Sequence, residues 1–396
     1  MSELYQLPDG WEWKKLNELT EVNIGKTPSR SKPEYFFGNN IWLSIRDLKG
    51  KYISDSNEKI TEEAIRSSNI KVVKKGTLLM SFKLTLGKTS FAECDLYTNE
   101  AIASLPIKKE YLLDKYFLEY AIGVIDLEKE VDNAVKGKTL NKEKIKNLDI
   151  PLPPLEEQKR IVQKLDALFE RIDKAIAILQ KNIAAADNFM NSVLNDVFSD
   201  LEQNHPMELL FKIADVNRGK SKHRPRNDKR LFGGNYPFIQ TGDVRNASKY
   251  ITSYSDTYSE FGLFQSKLWQ KGTICMTIAA NIGDVAILGV DSCFPDSVVG
   301  IFSESESNEY LYYYLLTLKK QLESKATTTA QMNINIKLLQ DIDLPLPSID
   351  IQKRTVKYLD YISDQIEQVK SAQQQKMQNL LDLKSSILDQ AFHGKL

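Results

Sequence analysis

The sequence contains little of what metal, thiol or membrane chemistry requires. Its 396 residues include only three histidines and three cysteines, the latter being Cys94, Cys275 and Cys293. Neither residue type shows the spacing of metal ligands, so the sequence predicts no metal site. Scattered cysteines in an odd number fit reduced thiols in a cytoplasm better than a disulfide framework. No run of about 18 apolar residues is present and the first residues do not form a signal peptide, so we expect no membrane association.

Catalytic motifs are also missing. Two segments, Gly25-Lys26-Thr27 and Gly219-Lys220-Ser221, resemble the end of a phosphate-binding loop. Such a loop needs a glycine five residues earlier, where this chain has Thr20 and Ala214. The sequence contains no nucleophile elbow, no dinucleotide-binding glycine loop and no Asn/Asp-Pro-Pro-Tyr/Phe motif of an amino-methyltransferase. We therefore predict a chain without catalytic activity and without a cofactor of its own.

The overall charge gives no sign of a nucleic-acid partner. The chain has 53 basic and 53 acidic residues, which makes its formal net charge zero. Any binding to DNA must then depend on local basic patches or on partner proteins. The hydrophobic content of 42% and the charged content of 27% are typical of a globular protein, and the length predicts at least two domains.

What the sequence does contain is a duplication. Several segments recur in the same order 194 to 196 residues later. The pairs are Val22–Thr27 with Val216–Ser221, Gly38–Leu48 with Gly234–Val244, Lys75–Met80 with Lys271–Met276, Asp149–Pro153 with Asp343–Pro347, Gln158–Arg160 with Gln352–Arg354 and Leu165–Asp166 with Leu359–Asp360. Preserved order and a nearly constant offset indicate two structurally equivalent halves.

Each half is predicted to be a mixed α/β domain followed by one long helix. We assign residues 1–150 and 205–345 to the two domains, and 151–204 and 346–396 to segments with helices at about 155–199 and 349–392. Apolar residues in these helices recur at steps of three and four, at Ile161, Leu165, Leu168, Ile172, Ala175 and Leu179 and again at Leu359, Ile362, Ile366, Val369, Leu380, Leu383 and Ile387. This pattern is typical of coiled-coil seams, although two amphipathic helices that pack only on their own domains would also fit. The fold class predicted is α+β, with two similar domains separated by two long antiparallel helices in a pseudo-two-fold arrangement.

Three segments resemble the specificity subunits of type I restriction-modification systems. They are Leu7–Trp11 at the start, Ile150–Ile161 at the entry to the first long helix, and Ala391–Leu396 at the end. The second copy of the helix entry departs from the family pattern, because Leu346–Gln352 lacks the second proline and both glutamates. Together with the duplication, the resemblance covers essentially the whole chain.

The resemblance implies both a function and a set of partners. Each domain would be a target-recognition domain that reads one half of a bipartite, asymmetric sequence in double-stranded DNA. The paired helices would separate the domains and dock two methyltransferase subunits, which bind S-adenosylmethionine and methylate adenine. Restriction subunits with motor and nuclease activity could join the complex. Two other hypotheses remain: an enzyme, which the missing motifs disfavour, and a scaffold that only joins proteins.

The strongest candidate for contact with DNA is the segment 218–230, in which seven of 13 residues are lysine or arginine and one is acidic. Such a loop can neutralise phosphates, and arginine can read guanine, but a flexible solvated loop would have the same composition. Arg46 and Arg245 beside the repeated aspartates either contact phosphate or pair with nearby acids. The complete set of predicted DNA-contacting residues is Lys26, Arg30, Lys32, Arg46, Lys83, Lys88, Lys138, Arg218, Lys220, Lys222, Arg224, Arg226, Arg245 and Asn281.

Overall fold

The structure is a computed structural model that describes residues 5–127, 132–134, 137–279, 282–327 and 335–396. The chain divides into two compact units. The first unit comprises Met1–Ile178 with Lys376–Leu396, and the second comprises Leu179–Gln375. Each unit therefore contains one sheet-bearing domain together with a part of each of the two long helices.

The first half of the chain alternates short strands and short helices before a long helix. In chain order the elements are β1 (Glu12–Lys15), α1 (Leu16–Leu19), β2 (Asn23–Ile24), β3 (Asn40–Leu43), β4 (Tyr52–Ile53), β5 (Glu58–Ile60), α2 (Glu62–Ser68), β6 (Leu78–Ser81), β7 (Thr89–Ala92), β8 (Tyr97–Thr98), β9 (Ile102–Leu105), α3 (Lys115–Val124), β10 (Asp132–Ala134), β11 (Gly137–Thr139), α4 (Lys142–Lys146), β12 (Asp149–Leu152) and α5 (Leu155–Asn204). Short 3₁₀ helices lie at Pro33–Phe36 and Ile45–Asp47.

The second half repeats most of this succession. Its elements are β13 (Met207–Leu209), α6 (Leu210–Ile213), β14 (Asp215–Arg218), β15 (Phe232–Phe238), α7 (Thr241–Asn246), β16 (Tyr250–Ile251), β17 (Asp256–Tyr258), α8 (Glu260–Phe264), β18 (Ile274–Thr277), β19 (Val285–Leu288), β20 (Val298–Phe302), α9 (Asn308–Thr317), α10 (Lys319–Thr327), α11 (Ile336–Gln340), β21 (Asp343–Pro345) and α12 (Ile349–Phe392). A 3₁₀ helix lies at Lys229–Leu231.

The sheets confirm the duplication. The five-stranded sheet of the first unit has the order β2-β9-β6-β7-β4, and that of the second has the equivalent order β14-β20-β18-β19-β16. In both sheets the last pair is parallel and the other pairs are antiparallel. The central strands β6 and β18 are buried along their whole length, as expected from their continuous apolar runs. The predicted fold class, two similar mixed α/β domains with long helices, is thus confirmed.

The ends of the two domains are tied to the long helices in the same way. β1 pairs with β12 and β13 pairs with β21, so that each domain begins and ends at one two-stranded ribbon just before its helix. Prolines at Pro153 and Pro154 precede α5, which starts at Leu155 as predicted and continues beyond residue 199 to Asn204. The second long helix, α12, has the predicted bounds.

The long helices pair in antiparallel fashion within each unit. In the first unit the start of α5 faces the end of α12, where Lys384 Nζ lies 2.8 Å from Asp173 Oδ1. In the second unit the end of α5 faces the start of α12, where Lys370 Nζ lies 3.0 Å from Asp187 Oδ1. Apolar positions such as Ile161 are buried between domain and helices.

The predicted seam of α12 is wrong at two positions. Val369 and Leu383 are 48% and 47% exposed. The predicted positions Leu380 and Ile387 do pack on the core of the first unit, together with Leu388. A strict seam requires 3.5 residues per turn, whereas a helix with 3.6 residues per turn moves such a stripe gradually away from its partner. The helices therefore pack as amphipathic elements, each covering its own domain near its start and the domain of the other half near its end.

Candidate DNA interface

The first predicted contact loop, residues 25–32, is held firmly against the domain. A Cβ atom on Gly25 would lie 2.2 Å from the carbonyl oxygen of Thr98, so only glycine fits there. The next residue, Lys26, donates its backbone N–H to that carbonyl at 2.9 Å, and its own carbonyl accepts a hydrogen bond from Trp42 Nε1 at 3.0 Å. The backbone is fixed while the side chain of Lys26 stays exposed.

Arg30 in this loop already has a partner in the fold. Its guanidinium donates two hydrogen bonds to Glu58, of 2.5 and 2.8 Å, and stacks 4.2 Å from the centre of the Phe36 ring. The hydrogen bond from Arg30 is the main cause that holds the pKa of Glu58 below its usual range. Lys32 Nζ donates to the hydroxyl of Tyr35 at 3.0 Å. Both cations are oriented and exposed, so a phosphate would compete with partners that are already in place.

The basic loop of the second unit, residues 218–230, is anchored similarly. A Cβ atom on Gly219 would lie 2.3 Å from the carbonyl oxygen of Pro295. Lys220 and Lys222 donate their backbone N–H groups to the carbonyls of Phe294 and Gln265, each at 3.1 Å. The side chains of Arg218, Lys220 and Lys222 are exposed.

One acidic residue organises the rest of that loop. Asp228 accepts hydrogen bonds from the side chain of Arg230 at 2.7 Å and from its backbone N–H at 3.0 Å, and it contacts His223 Nε2 at 2.8 Å. These hydrogen bonds, those from Arg230 above all, hold the pKa of Asp228 well below its usual range. Arg226 donates to both oxygens of Asp296, and Arg224 donates to the carbonyl of Ser221 at 2.6 Å, which gives both arginines fixed positions.

The repeated aspartates next to Arg46 and Arg245 have a structural role. Asp47 accepts hydrogen bonds from the backbone N–H of Ser44 at 2.8 Å, and Asp243 accepts one from the backbone N–H of Gln240 at 2.7 Å. They cap the turns that carry the two arginines. Both arginines are exposed, and the charge of Arg46 helps to lower the pKa of Glu58. Whether they bind phosphate stays a prediction.

The lysines of the β6–β7 hairpin flank an unusual residue. Leu84 has a φ of +63°, which a side chain of this kind rarely adopts, and it is 74% exposed. Lys83 and Lys88 lie on either side of it, and the backbone N–H of Lys88 donates to Ser81 Oγ at 3.0 Å. Conformational strain of this type is frequent at binding sites.

Two predicted contacts lie outside the described side chains. Lys138 belongs to β11, of whose side chains the structure describes nothing, and Asn281 lies outside the described residues. They stay predictions from the sequence.

Strand register brings the predicted loops to one end of each sheet. In the first unit Ile24 pairs with Ala103 and Ser81 pairs with Ile102, so the loop after β2 and the hairpin after β6 leave the sheet at the same end. In the second unit Arg218 and Thr277 pair with neighbouring residues of β20, Val299 and Val298. The basic loop and the turn after β18 share an end there too.

Sequence reasoning missed one duplicated contact between domain and helix. In the first unit Asp166 on α5 accepts hydrogen bonds from the hydroxyl of Tyr120 at 2.5 Å and from Lys51 Nζ at 3.4 Å. In the second unit Asp360 on α12 accepts the equivalent bonds from Tyr313 and Lys249. The signal was present, since Leu165-Asp166 recurs as Leu359-Asp360. The recurrence alone did not identify the tyrosine and the lysine that bind each aspartate.

Within the part of the chain that the structure describes, no group of three or more histidine, cysteine, aspartate or glutamate residues could hold a metal ion. Among those same residues, no helix has the length and apolarity that crossing a membrane requires.

The chain is duplicated, and its two domains present basic loops at equivalent ends of their sheets. Each domain lies next to paired long helices. This is the organisation of a two-domain DNA-recognition protein. The family model for the type I restriction modification DNA specificity domain matches residues 8–182 and again residues 206–377. The chain belongs to this family and is a type I restriction-modification specificity subunit with two DNA-recognition domains.

Individual relatives agree with this assignment. The chain is 30% identical over 189 residues to the MjaIX specificity subunit of Methanocaldococcus jannaschii, a match that spans 46% of this chain and 43% of that one. It is 26% identical over 441 residues to the putative MjaX specificity subunit of the same organism, covering 100% of this chain and 96% of that one. Against the EcoR124I/EcoR124II specificity subunit of Escherichia coli, the identity is 26% over 193 residues, 43% of this chain and 45% of that one.

Solved structures share the fold. A chain from a study of complex assembly and conformational transition of the type I R-M system has a TM-score of 0.76 at 22% identity, with 99% of this chain and 100% of that chain covered. The HsdS subunit of Thermoanaerobacter tengcongensis has a TM-score of 0.52 at 23% identity, with 99% of each chain covered.

Proposed function

We propose that each domain reads one half of a bipartite, asymmetric target in double-stranded DNA, and that the paired helices dock two methyltransferase subunits that methylate adenine. The observation that carries this proposal is that two sheets of the same strand order present unlike loops at the same end. Equal folds with unequal contact residues are what the reading of two different half-sites requires.

The loops differ in charge and in fixed side chains. Residues 25–32 contain three cations, whereas residues 218–230 contain seven. The cations would neutralise phosphates and so supply affinity that depends on salt, while anchored arginines would supply contacts to guanine. Because the anchoring hydrogen bonds fix the loop backbones, little conformational entropy would be lost when DNA binds.

The long helices offer a surface for protein partners. Tyr358 and Tyr361 lie one turn apart on α12 and are exposed, and Phe189 is exposed on α5. Aromatic side chains are enriched at protein interfaces, where a partner removes them from water. The partners would be the methyltransferase subunits, which would bind S-adenosylmethionine and supply all the chemistry. This chain would be non-catalytic, without its own cofactor, in the cytoplasm, with restriction subunits as further partners.

Single-molecule mapping of N6-methyladenine tests the proposal directly. DNA from cells that express this chain with its methyltransferase should carry a split motif, two short unlike halves around a gap of fixed length and free sequence. The motif should disappear when this chain is deleted, and an exchange of residues 205–345 should change one half only. Methylation that persists unchanged without this chain would exclude the proposal and favour a scaffold.

A further inference from the structure

Three large apolar side chains are more exposed than any others among the described residues. They are Phe264, Phe37 and Leu84, at 85%, 82% and 74%. Each lies beside residues that the sequence predicts to contact DNA. Contact between a phenyl ring and water is unfavourable, so rings this exposed require an explanation.

Phe264 is fixed in position by the basic loop of the second unit. It is the last residue of α8, and the next residue, Gln265, accepts the backbone hydrogen bond of Lys222 at 3.1 Å. On the same helix, Phe261 packs edge-on against His223 with ring centres 5.2 Å apart. It also lies 5.3 Å below the guanidinium of Arg230. Helix α8 thus packs on the loop through Phe261 and leaves the ring of Phe264 in solvent.

Phe37 occupies a similar environment in the first unit but on a different element. It follows the 3₁₀ helix Pro33–Phe36, whose last ring carries the guanidinium of Arg30. Its backbone bridges to Lys59, the residue next to Glu58, which is the partner of Arg30. The ring therefore stands beside the anchored arginine of its own unit.

The duplication did not copy these two rings. Phe37 corresponds to Gly233 at the offset of 196 residues. Phe264 corresponds to Arg66, because the N-caps of α2 and α8, Thr61 and Ser259, align these helices at an offset of 198 residues. Each half has thus placed an exposed phenylalanine beside its contact loop at a different position. A packing role inherited from a common ancestor would have left both rings at equivalent positions, whereas a role in reading unlike half-sites would not.

We propose that Phe37 and Phe264 are specificity-determining residues that make apolar contacts with thymine methyl groups, one in each half-site. This inference rests on the proposed function. Cations beside each ring attract phosphates, but contacts with phosphate carry no sequence information. A phenyl ring gains nothing from phosphate, and the thymine methyl group is the apolar feature that DNA presents in the major groove. Each ring thus adds sequence preference to affinity that the loop supplies.

The test uses the chain assembled with its methyltransferase and two short duplexes, one with the mapped motif and one scrambled. Phe264→Ala should weaken binding to the motif duplex on the order of tenfold and leave binding to the scrambled duplex unchanged. Because no phosphate contact is lost, the slope of log affinity against log salt should stay the same. Methylation mapping should show relaxed choice in one half only, and Phe37→Ala should relax the other half.

Uracil in place of thymine removes only the methyl group and identifies the contact. For one thymine in the affected half-site, uracil should weaken binding of the parent complex, and Phe264→Ala should then cause no further loss. Phe211→Ala removes a half-exposed phenylalanine before β14 in the same unit and is the matched control. It should leave binding to both duplexes unchanged. The midpoint of thermal unfolding should be unchanged in Phe37→Ala and Phe264→Ala, whose rings are exposed, and slightly lowered in Phe211→Ala, whose ring is half-buried.

Unchanged affinity of both phenylalanine variants for the motif duplex would overturn the inference, and so would additive losses with uracil at every thymine. An equal loss on both duplexes with a changed salt slope would also overturn it, since that marks a damaged loop. If the parent complex itself does not discriminate the two duplexes, the proposed function fails instead.

Discussion

Arg226 donates two hydrogen bonds to the carboxylate of Asp296, of 2.9 and 2.8 Å, and so holds its guanidinium at the surface of the basic loop. In the first unit Arg30 pairs with Glu58 through both terminal nitrogens, one to each carboxylate oxygen, whereas Arg226 uses Nη2 for both bonds. Ion pairs this exposed contribute at most about 1 kcal/mol to stability. They orient an arginine at little cost and can be exchanged for a stronger contact with phosphate or guanine.

Replacement of Asp296 by asparagine should therefore strengthen binding to DNA. The substitution removes a negative charge and releases Arg226, so affinity should rise a few-fold and the salt slope should steepen by about one. Fluorescence anisotropy of a labelled duplex over a salt series measures both. Asp215→Asn removes an exposed carboxylate at the other end of β14 and serves as the control. A weaker complex would mean that Asp296 positions Arg226 for contact instead of competing for it.

The basic loop should keep its conformation down to strongly acidic pH, and this conformation should depend on Asp228. Since the folded loop stabilises the charged carboxylate, the pKa of Asp228 is lowered, chiefly by the hydrogen bond from Arg230. Its contribution to stability is present above the ordinary aspartate pKa and is lost as the pH falls through the lowered value. Asp228→Asn should remove that contribution at every pH.

Amide hydrogen exchange over residues 221–230 measures the effect. Exchange should be faster in Asp228→Asn at neutral pH, whereas in the parent chain it should accelerate only in strong acid, after correction for intrinsic rates. The exposed Asp215→Asn variant should behave as the parent. Equal exchange in Asp228→Asn and the parent would show that backbone anchoring by Phe294 and Gln265 suffices.

Two fully buried glutamines should be essential for stability. Gln158 accepts a hydrogen bond from the backbone N–H of Asp114 at 2.8 Å and donates to the carbonyl of Leu112, also at 2.8 Å. Gln352 similarly accepts one from the backbone N–H of Ser307 at 3.1 Å. Asp114 and Ser307 cap α3 and α9, so each glutamine joins a domain helix to the start of a long helix.

Gln158→Leu would leave these backbone groups without partners, together with the buried carbonyl of Pro153 to which Gln158 also donates at 2.8 Å. It should lower the free energy of unfolding by about 3 kcal/mol. Gln352→Leu should act similarly on the second unit. Urea unfolding followed by circular dichroism gives the values. Gln163→Leu, at an exposed position of the same helix, should change stability by less than about 0.5 kcal/mol. Equal effects of Gln158→Leu and Gln163→Leu would contradict the assignment.

A pair of glycine substitutions tests the anchoring of the basic loop. Gly219→Ala would place its Cβ 2.3 Å from the carbonyl oxygen of Pro295, so backbone must shift, at a cost of roughly 2 kcal/mol. At Gly242, in α7, a Cβ would meet nothing within 4 Å, and alanine should stabilise the helix by about 0.5 kcal/mol. The midpoint of thermal unfolding and the affinity for DNA should both fall in Gly219→Ala and should not fall in Gly242→Ala. A neutral Gly219→Ala variant would show that the loop is adaptable.

The duplicated fold could be predicted because its sequence signals are steric and local. A Cβ atom on Gly38 would lie 2.0 Å from the carbonyl of Ile60, and one on Gly234 would lie 2.4 Å from the carbonyl of Tyr258. Residues with such constraints are the ones that recur in both halves. Prolines and apolar periodicity predicted the long helices. The exposure of Val369 could not be predicted from them, because it depends on how the apolar stripe of α12 turns away from its partner along the helix.

The side-chain partners at the candidate interface could not be predicted. Arg30 finds Glu58 28 residues away, and Arg226 finds Asp296 70 residues away, and no local pattern marks either acid. The exposure of Phe37 and Phe264 could not be predicted from the sequence either, because phenylalanine is usually buried. The loops could be located from composition alone, but their anchoring needed the tertiary fold.

The duplicated aspartates of the long helices should control the alkaline behaviour of two tyrosines. Burial first, and then the hydrogen bond to Asp166, raises the pKa of Tyr120; burial and Asp360 raise that of Tyr313. A raised pKa means that the neutral tyrosine contributes stability below its unfolded pKa, which is lost as the pH rises through the folded value. Asp166→Asn removes the charge but not the burial, so the pKa of Tyr120 should fall only part of the way.

Tyrosinate absorbance during an alkaline titration, with urea unfolding at each pH, measures this shift. Asp166→Asn should ionise one more tyrosine than the parent within the folded range. Its loss of stability should end at a lower pH and be smaller, because the folded pKa of Tyr120 is lower while the unfolded pKa is unchanged. Tyr120→Phe in the Asp166→Asn background should remove that extra ionisation and so assign it, while Asp360→Asn should release Tyr313 in the same manner. Asp187→Asn removes a carboxylate that pairs with Lys370 on the surface of the long helices, and it should leave the titration unchanged. Superimposable curves for Asp166→Asn and the parent would mean that burial alone keeps Tyr120 neutral, and that the contact between domain and helix does not depend on the charge of Asp166.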